Sequence, residues 1–425
     1  MPAITMKDRL AEARGKPPEE AKFYWSGGPI EVAPRTYFQS LFSGVTGFDT
    51  DDGIVLVDSG VERLGATLNA LLRQKTDAPI HTAIFTQGHL DHAYGLKHFL
   101  APGQSAPRVV AHRAMPARFA RYALTQGYNA AINARQFGGT AEWAEMKPET
   151  FRDFGSPAIP PDTLYDERID LTVGGVLFEV HHCRGETDDH TWVFCPDRGV
   201  LCPGDLFIWA VPNAGNPQKV QRYPWDWARG LRLMAAKEPE TMCPGHGAPV
   251  VRDRALVRRM LLETADFLDV IVERTIAALN KGAPPHADIV HAVELPRSDS
   301  PWLQPVYDDT EFIVHSIVRF YGGWWNGRPS ELKPAPRDAL AREIAALAGG
   351  VDRLLARALE LLQKGELRLA CHLADSALEA APDQEEVRES VAAIYELRAA
   401  LEPSLMGQNL CHSAAAYARK GRLFV

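Results

Sequence analysis

The stretch Phe85-Thr86-Gln87-Gly88-His89-Leu90-Asp91-His92 packs three metal-ligand side chains into four positions, directly after the apolar run Ala83-Ile84-Phe85. A strand ending here would project His89 and Asp91 to one side, with His92 beside them. Imidazole combined with carboxylate suits zinc, iron or manganese better than calcium. Gln87 is the odd member, because a histidine in its place would complete an H-x-H-x-D-H series.

Further ligand types follow other apolar segments: Glu186 after Gly185, Asp205 in Pro203-Gly204-Asp205, and His246 in Pro244-Gly245-His246-Gly247. A pair of bridged metals needs about six to eight ligands. Gln87, His89, Asp91, His92, Glu186, Asp205 and His246 together meet that demand. All follow predicted strands, and strand C-termini converging on one edge are where α/β sites assemble. Asp58 closes the buried run Ile54-Val55-Leu56-Val57 and is expected to accept a hydrogen bond from a ligand histidine and orient it. His181, His182 and His190 read as structural or as neighbours of the ligands.

The elements that must carry these residues alternate. The run ending at Asp58 reads as a strand. Leu64, Leu68, Leu71 and Leu72 then recur at helical spacing, and a strand over 79–86 delivers the histidine stretch. Another helix and a short strand, Arg108 to His112, complete a β-α-β-α rhythm that predicts a layered α/β domain. Residues 115–160 read as a mixed, helical insertion able to wall a pocket, with Asn129, Arg135, Phe137 and Gly138-Gly139 near one end. Hairpins follow, turning at Gly174-Gly175 and Asp197-Arg198-Gly199. The boundaries expected are an irregular arm over 1–35, a catalytic domain over 36–251 and a helical region over 252–425. In the last, Leu256, Met260, Leu261, Phe267, Leu268 and Ile271 form an amphipathic stripe, broken by Pro284-Pro285. Pro334-Ala335-Pro336 reads as a linker. Leu354, Ala358, Leu361 and Leu362, then Leu369, Ala370, Ala374 and Leu378, resemble one tetratricopeptide-like helix pair.

Length and composition narrow the classes. The 425 residues, 46% hydrophobic and 24% charged, suit a globular protein of two or three domains. A net charge of -8 argues against a nucleic-acid-binding surface, but not against a small anionic substrate beside a metal. The charged N-terminus lacks the apolar segment of a secretory signal, and no apolar run is long enough to span a membrane. Six cysteines without C-x-x-C pairing fit reduced thiols in the cytoplasm.

Taken together, the T-Q-G-H-L-D-H stretch, Gly185-Glu186-Thr187, Pro203-Gly204-Asp205 and Pro244-Gly245-His246-Gly247 resemble the metallo-β-lactamase fold superfamily, with matching order over 36–250. Within it the chain is most similar to the alkyl sulfatases. That closer likeness rests on the glutamate after Gly185, on Phe320-Tyr321-Gly322-Gly323-Trp324-Trp325-Asn326-Gly327-Arg328-Pro329, and on Leu347-Ala348-Gly349-Gly350-Val351-Asp352-Arg353. The resemblance implies an αββα sandwich followed by an all-α dimerisation domain and a homodimer; the sterol-carrier-like C-terminal domain common in that family is expected to be absent, since the sequence ends at Val425. It also implies two zinc ions per chain. One would use Gln87, His89 and Glu186, the other Asp91, His92 and His246. Asp205 would bridge them, where the alkyl sulfatases carry a glutamate. Because amide oxygen is a poorer zinc ligand than imidazole, the Gln87 site should bind more weakly or stay empty.

The chemistry expected is hydrolysis by a metal-activated water, since zinc lowers the pKa of its bound water towards about 7. The catalytic candidates are Asp91, with Tyr223 or His190 as a protonated group near the leaving oxygen. Asn213, Lys219 and Arg222 are the candidates for binding a sulfate group, with Phe137, Trp209 and Trp225 as walls for an apolar tail. The small-molecule substrate expected is a sulfate ester of an apolar alcohol. Another ester, lactone, lactam or thioester is the first alternative, because fold alone does not choose chemistry. A metal-binding or interaction protein with a weakened site is the second. A diiron redox role is the third, opposed by the absence of an attached flavin domain.

Overall fold

The computed structural model describes residue 23, residues 25–137 and residues 155–423. The expected arm over 1–35 therefore falls partly outside the described residues, as do Gly138-Gly139 and the end of the helical region at Val425. The described chain divides into two compact units. One contains residues 127–137 and 324–423, and the other contains the rest, ending at Gly323.

The larger unit holds two sheets. Strands β1 (Gly27–Ala33), β2 (Thr36–Ser40), β3 (Gly44–Thr50), β4 (Gly53–Val57), β5 (Ile80–Ile84), β6 (Arg108–His112) and β7 (Thr163–Tyr165) lie in sequence order in the first. Pairing is antiparallel from β1 to β4 and parallel from β4 to β7. The second sheet runs β12 (Thr241–Pro244), β11 (Val200–Gly204), β10 (Thr191–Cys195), β9 (Val176–His182), β8 (Arg168–Val173), with only the β11–β12 pair parallel. β1 begins well before the strand signals at Tyr37. Its Gly-Gly-Pro start hides the alternation and suits an edge strand, where a missing N–H costs little.

Alternation along β4 shows why the sheets stack. Val55 and Val57 enter the core between the sheets with Phe48 and Phe178, while Ile54 and Leu56 face the other way onto Leu68 and Leu72. Phe48 and Phe178 meet edge-to-face across the sheets at 5.2 Å. The outer face of the first sheet is covered by α1 (Glu62–Leu72) and, further along, by Met115 and Phe119. A one-turn helix, α2 (Leu90–Ala93), follows β5, and α3 (Met115–Leu124) follows β6. The next helix, α4 (Gln126–Phe137), belongs from Gly127 onwards to the smaller unit.

The outer face of the second sheet, including Trp192, Leu201 and Met242, is covered by α5 (Pro224–Ala235) and the long α6 (Arg254–Asn280). The short α7 (Ile289–Ala292) and α8 (Thr310–Tyr321) join the same core. Helices thus lie outside both sheets, giving an αββα sandwich. The stripe read from Met260 to Ile271 is buried in this core, so these helices are part of the sandwich unit. Asp253 and Asp309 cap α6 and α8 through their side chains.

The smaller unit contains α9 (Arg337–Ala348), α10 (Val351–Gln363), α11 (Leu367–Ala380), α12 (Glu385–Leu401) and α13 (Leu405–Ala418). α10 and α11 form the tetratricopeptide-like pair, burying Leu354, Ala358, Ala370, Ala374 and Leu378 in one core. α4 joins this unit: Asn409 donates to the Gln136 carbonyl at 2.7 Å and Ser413 to that of Arg135 at 3.1 Å. Of the expected insertion over 115–160, α3 belongs to the sandwich unit, α4 from Gly127 to the helical unit, and residues 138–154 lie outside the described residues. No helix among the described residues is long and apolar enough to cross a membrane.

Candidate metal centre

The ends of β4, β5, β9, β11 and β12 meet at one edge of the sandwich. Gln87 and His89 lie in the extended segment after β5, whereas Asp91 and His92 fall in the first turn of α2. The strand alternation expected for His89 and Asp91 is corrected: the chain turns helical at Leu90, so Asp91 and His92 point to a different corner from His89. The loop is anchored from below. Asp189, fully buried, accepts from the Gly88 N–H at 3.0 Å and from the Arg118 guanidinium at 2.8 Å.

One corner gathers Asp91, His92 and His246 within 4.8 Å of one another. His92 Nε2 lies 3.6 Å and His246 Nε2 3.3 Å from Asp91 Oδ2. Both rings are held from behind. His92 Nδ1 is 2.8 Å from Asp58 Oδ2, and Asp58 also accepts from the Thr86 N–H and hydroxyl, each at 2.7 Å. His246 Nδ1 donates to the Phe42 carbonyl at 2.8 Å. Each Nε2 lone pair is thereby directed into the corner, the arrangement that orients histidines for a metal. Sequence reasoning missed the Phe42 carbonyl, which carries no signal in residue type.

The other corner gathers His89, Glu186 and Asp205. His89 Nδ1 lies 3.8 Å from Glu186 Oε2. Asp205 sits between the corners: its Oδ2 is 3.2 Å from His92 Nε2, and its Oδ1 is 3.4 Å from His246 Nε2. The backbone permits this crowding through glycine. A Cβ on Gly245 would lie 2.0 Å from Asp205 Oδ1, and Gly204 adopts φ +55.

Burial opposes charge on His92 and His246, but Asp205 and Asp91 outweigh it, with Asp58 adding to His92. Both are raised, His246 to about 10. Burial likewise opposes ionisation of Asp205, yet His92 and His246 hold it well below the usual carboxylate range. Burial, with Asp205 close by, pushes Glu186 up to about 8 despite Arg222. Two protonated imidazoles thus balance the carboxylates, a place that a divalent cation takes by displacing protons. Gln87 Oε1 and Asp205 Oδ1 are buried acceptors without a hydrogen-bond donor. Nitrogen and oxygen donors with such acceptors fit a transition-metal ion at the Asp91–His92–His246–Asp205 corner.

Residues 44–246 match the metallo-beta-lactamase superfamily, and residues 286–421 match alkyl sulfatase dimerisation. The chain joins a metallo-β-lactamase domain to an alkyl sulfatase dimerisation domain. It is 27% identical over 359 residues to a linear primary-alkylsulfatase of Pseudomonas sp., covering 80% of this chain and 67% of that protein. An alkyl/aryl-sulfatase of Saccharomyces cerevisiae is 23% identical, with 82% of this chain and 57% of that protein covered. The solved structure of the stereoselective inverting sec-alkylsulfatase Pisa1 from Pseudomonas sp. shares the fold. Its TM-score is 0.82 at 19% identity, over 98% of this chain and 70% of that one. The chain thus spans between about half and about 70% of the length of these relatives.

In this metallo-β-lactamase domain the anion-binding candidates divide. Asn213 Nδ2 donates to Glu186 Oε1. Arg222 Nη2 lies 3.3 Å from the same oxygen, and its Nη1 donates to the Glu186 carbonyl. These two residues therefore hold a carboxylate of the site itself. Lys219 is half-buried, with its pKa drawn down to about 7 by burial and by Arg222. Its loop is gripped by the segment before and within α8. Asp308 accepts from the N–H of Gly215 at 2.7 Å and of Asn216 at 3.2 Å, and Arg319 donates to the Lys219 carbonyl at 3.1 Å. Neither Asp308 nor Asp189 stood out in the sequence, because a lone aspartate resembles any turn residue.

The proton-donor candidates also separate. His190 is fully buried, its two ring nitrogens lack partners, and burial lowers its pKa to about 3, so it stays neutral at pH 7. Tyr223 keeps its proton, its pKa raised by burial, and its ring packs on Arg184 and Phe320. Of the expected apolar walls, Trp209 is core, donating to the Ala248 carbonyl at 2.6 Å, and Trp225 is exposed on α5. At His246 itself the aromatic neighbours are Phe42, edge-on at 5.4 Å, and Phe23 at 5.9 Å, with Tyr307 stacked on Phe23.

Proposed function

We propose that the chain is a metal-dependent hydrolase of sulfate esters of apolar alcohols, with zinc as the metal. The observation that carries this reading is the union, in one chain, of the carboxylate–imidazole edge with a helical region of the alkyl sulfatase type. Asp91, His92, His246 and Asp205 would hold the metal. When bound, it supplies hydroxide near neutral pH and takes up charge on the ester oxygens. The chain's own residues do the rest. Asp58 and the Phe42 carbonyl orient His92 and His246. Lys219 offers the sulfate a cation, Asn213 and Arg222 fix Glu186, and Tyr223 holds a proton for the departing alkoxide. Phe42, Phe23 and Tyr307 line the way for the apolar group. The test is sulfate release from a medium-chain alkyl sulfate by purified protein, abolished by chelation and restored by zinc. Turnover of lactones or β-lactams without sulfate release would overturn it.

A second reading, hydrolysis of another ester, lactone, lactam or thioester, is favoured by one observation. Asn213 and Arg222, two of the three sulfate-binding candidates, are committed to Glu186. The helical region is proposed to pair two copies of the chain. Residence in the cytoplasm is proposed from the six free cysteines.

A further inference from the structure

We infer that the amide of Gln87 stands in for one of two metal ions, so that the chain binds a single metal per protomer, at Asp91, His92, His246 and Asp205. This rests on the reading of the site as a metal centre, but not on any particular ester as substrate.

Gln87 is fully buried, and its Nε2 donates to Asp205 Oδ2 at 2.6 Å and to Glu186 Oε2 at 3.2 Å. The amide group therefore joins the two carboxylates that a metal at the His89 corner would have to share. Turning it over would press Oε1 against Asp205 Oδ2, an ionised oxygen now 2.6 Å from Nε2, so the contact with Asp205 favours the present orientation. Glu186 is already engaged by three donor groups of the protein. Oε1 receives Asn213 Nδ2 and faces Arg222 Nη2 at 3.3 Å, while Oε2 receives Gln87. A cation arriving here would have to break the Gln87 bonds, reverse the amide to recruit a weak oxygen ligand, and lie close to a buried guanidinium. At the opposite corner no amide or guanidinium stands in the way. Its imidazoles are tethered through Nδ1 to Asp58 and to the Phe42 carbonyl and turn Nε2 towards Asp205 and Asp91, where a metal would replace a proton shared with a carboxylate.

The test is equilibrium dialysis of the full chain, stripped of metal, against micromolar zinc, with elemental analysis of the protein. The wild type is expected to hold one equivalent, with a second binding at least about 100-fold more weakly. Gln87→His should raise the content to two. His246→Ala should lose the tight equivalent and His89→Ala should keep it, which locates the ion even if the Gln87 variant fails to fold. Two tight equivalents in the wild type, or an equivalent retained in His246→Ala and lost in His89→Ala, would overturn the inference. No metal in any variant would overturn it and the metal-hydrolase reading together, whereas one equivalent without sulfate release would sink only the choice of ester.

Discussion

The Asp91–His92–His246 corner and the Gln87–His89–Glu186 corner share Asp205 but are stiffened from opposite directions. In the first, acceptors behind the rings, Asp58 and the Phe42 carbonyl, take the Nδ1 side and turn each Nε2 towards the carboxylates of Asp205 and Asp91. In the second, donors in front of the carboxylate, Gln87, Asn213 and Arg222, satisfy Glu186 directly. The same ligand types thus have different availability. An imidazole facing carboxylates holds a proton that a metal can displace, whereas a carboxylate met by amide and guanidinium donors is already held by the protein. Counting ligand residues does not reveal this difference; following their hydrogen bonds does.

The comparison can be broken most forcefully at Asp91. Asp91→Ala should empty the first corner and lower turnover by about a thousandfold or more, read as kcat alongside metal content. His89→Ala is also expected to abolish turnover, but with the tight metal retained; unchanged activity in either variant would defeat the site assignment. The next largest effect is expected at Gly245→Ala. The new Cβ would meet Asp205 Oδ1 at 2.0 Å and the Gly204 carbonyl carbon at 2.6 Å, both of them fixed. A loss of about 3 kcal/mol in urea unfolding is expected, and an unshifted midpoint would mean that the floor of the site yields.

Asp58→Asn sharpens the contrast. It keeps the volume behind His92 but weakens the acceptor, so metal affinity should fall about 10- to 100-fold, measured by competition with a chelator. Asn213→Ala, acting on the donor side, should leave that affinity nearly unchanged. Equal losses in the two variants would erase the distinction between the corners.

The smallest effect concerns pH. Burial raises the Asp308 pKa from 3.8 to about 7, although three backbone N–H groups favour its anion. Its folded pKa exceeds its unfolded one, so the stability it confers is full below about pH 4 and is lost as pH rises towards 7. Asp308→Asn should remove a decline of about 1–2 kcal/mol between pH 6 and pH 8. Urea titrations at the two pH values would show it, and parallel curves for variant and wild type would refute it.

Much of this was legible in the chain. The histidine stretch, Pro-Gly-Asp and Pro-Gly-His-Gly declare themselves because glycine permits close backbone approach and the donor types are dense. Asp58 was readable as the acceptor for a histidine because it ends a buried strand. The partners of Glu186 were not readable. Asn213 and Arg222 suit a free anion as well as a protein carboxylate, and only the fold brings Glu186 to them. Trp209 lies in the core under the helices for a related reason, since an aromatic ring gives no sign of which core will enclose it. β1 escaped notice because a glycine- and proline-bearing edge strand lacks the alternating pattern.

The cover of the second sheet has a consequence for how this protein can be cut. Trp227, Met260, Leu261, Ile313 and Ile317 close over Leu201 and Met242, and Asp308 and Arg319 hold the loop that reaches Glu186. A fragment ending where the metallo-β-lactamase match ends, at residue 246, would expose that sheet and release the loop. The smallest transferable module therefore closes near Gly323, so a recombination event or an expression vector that respects only the sequence match would deliver an insoluble half.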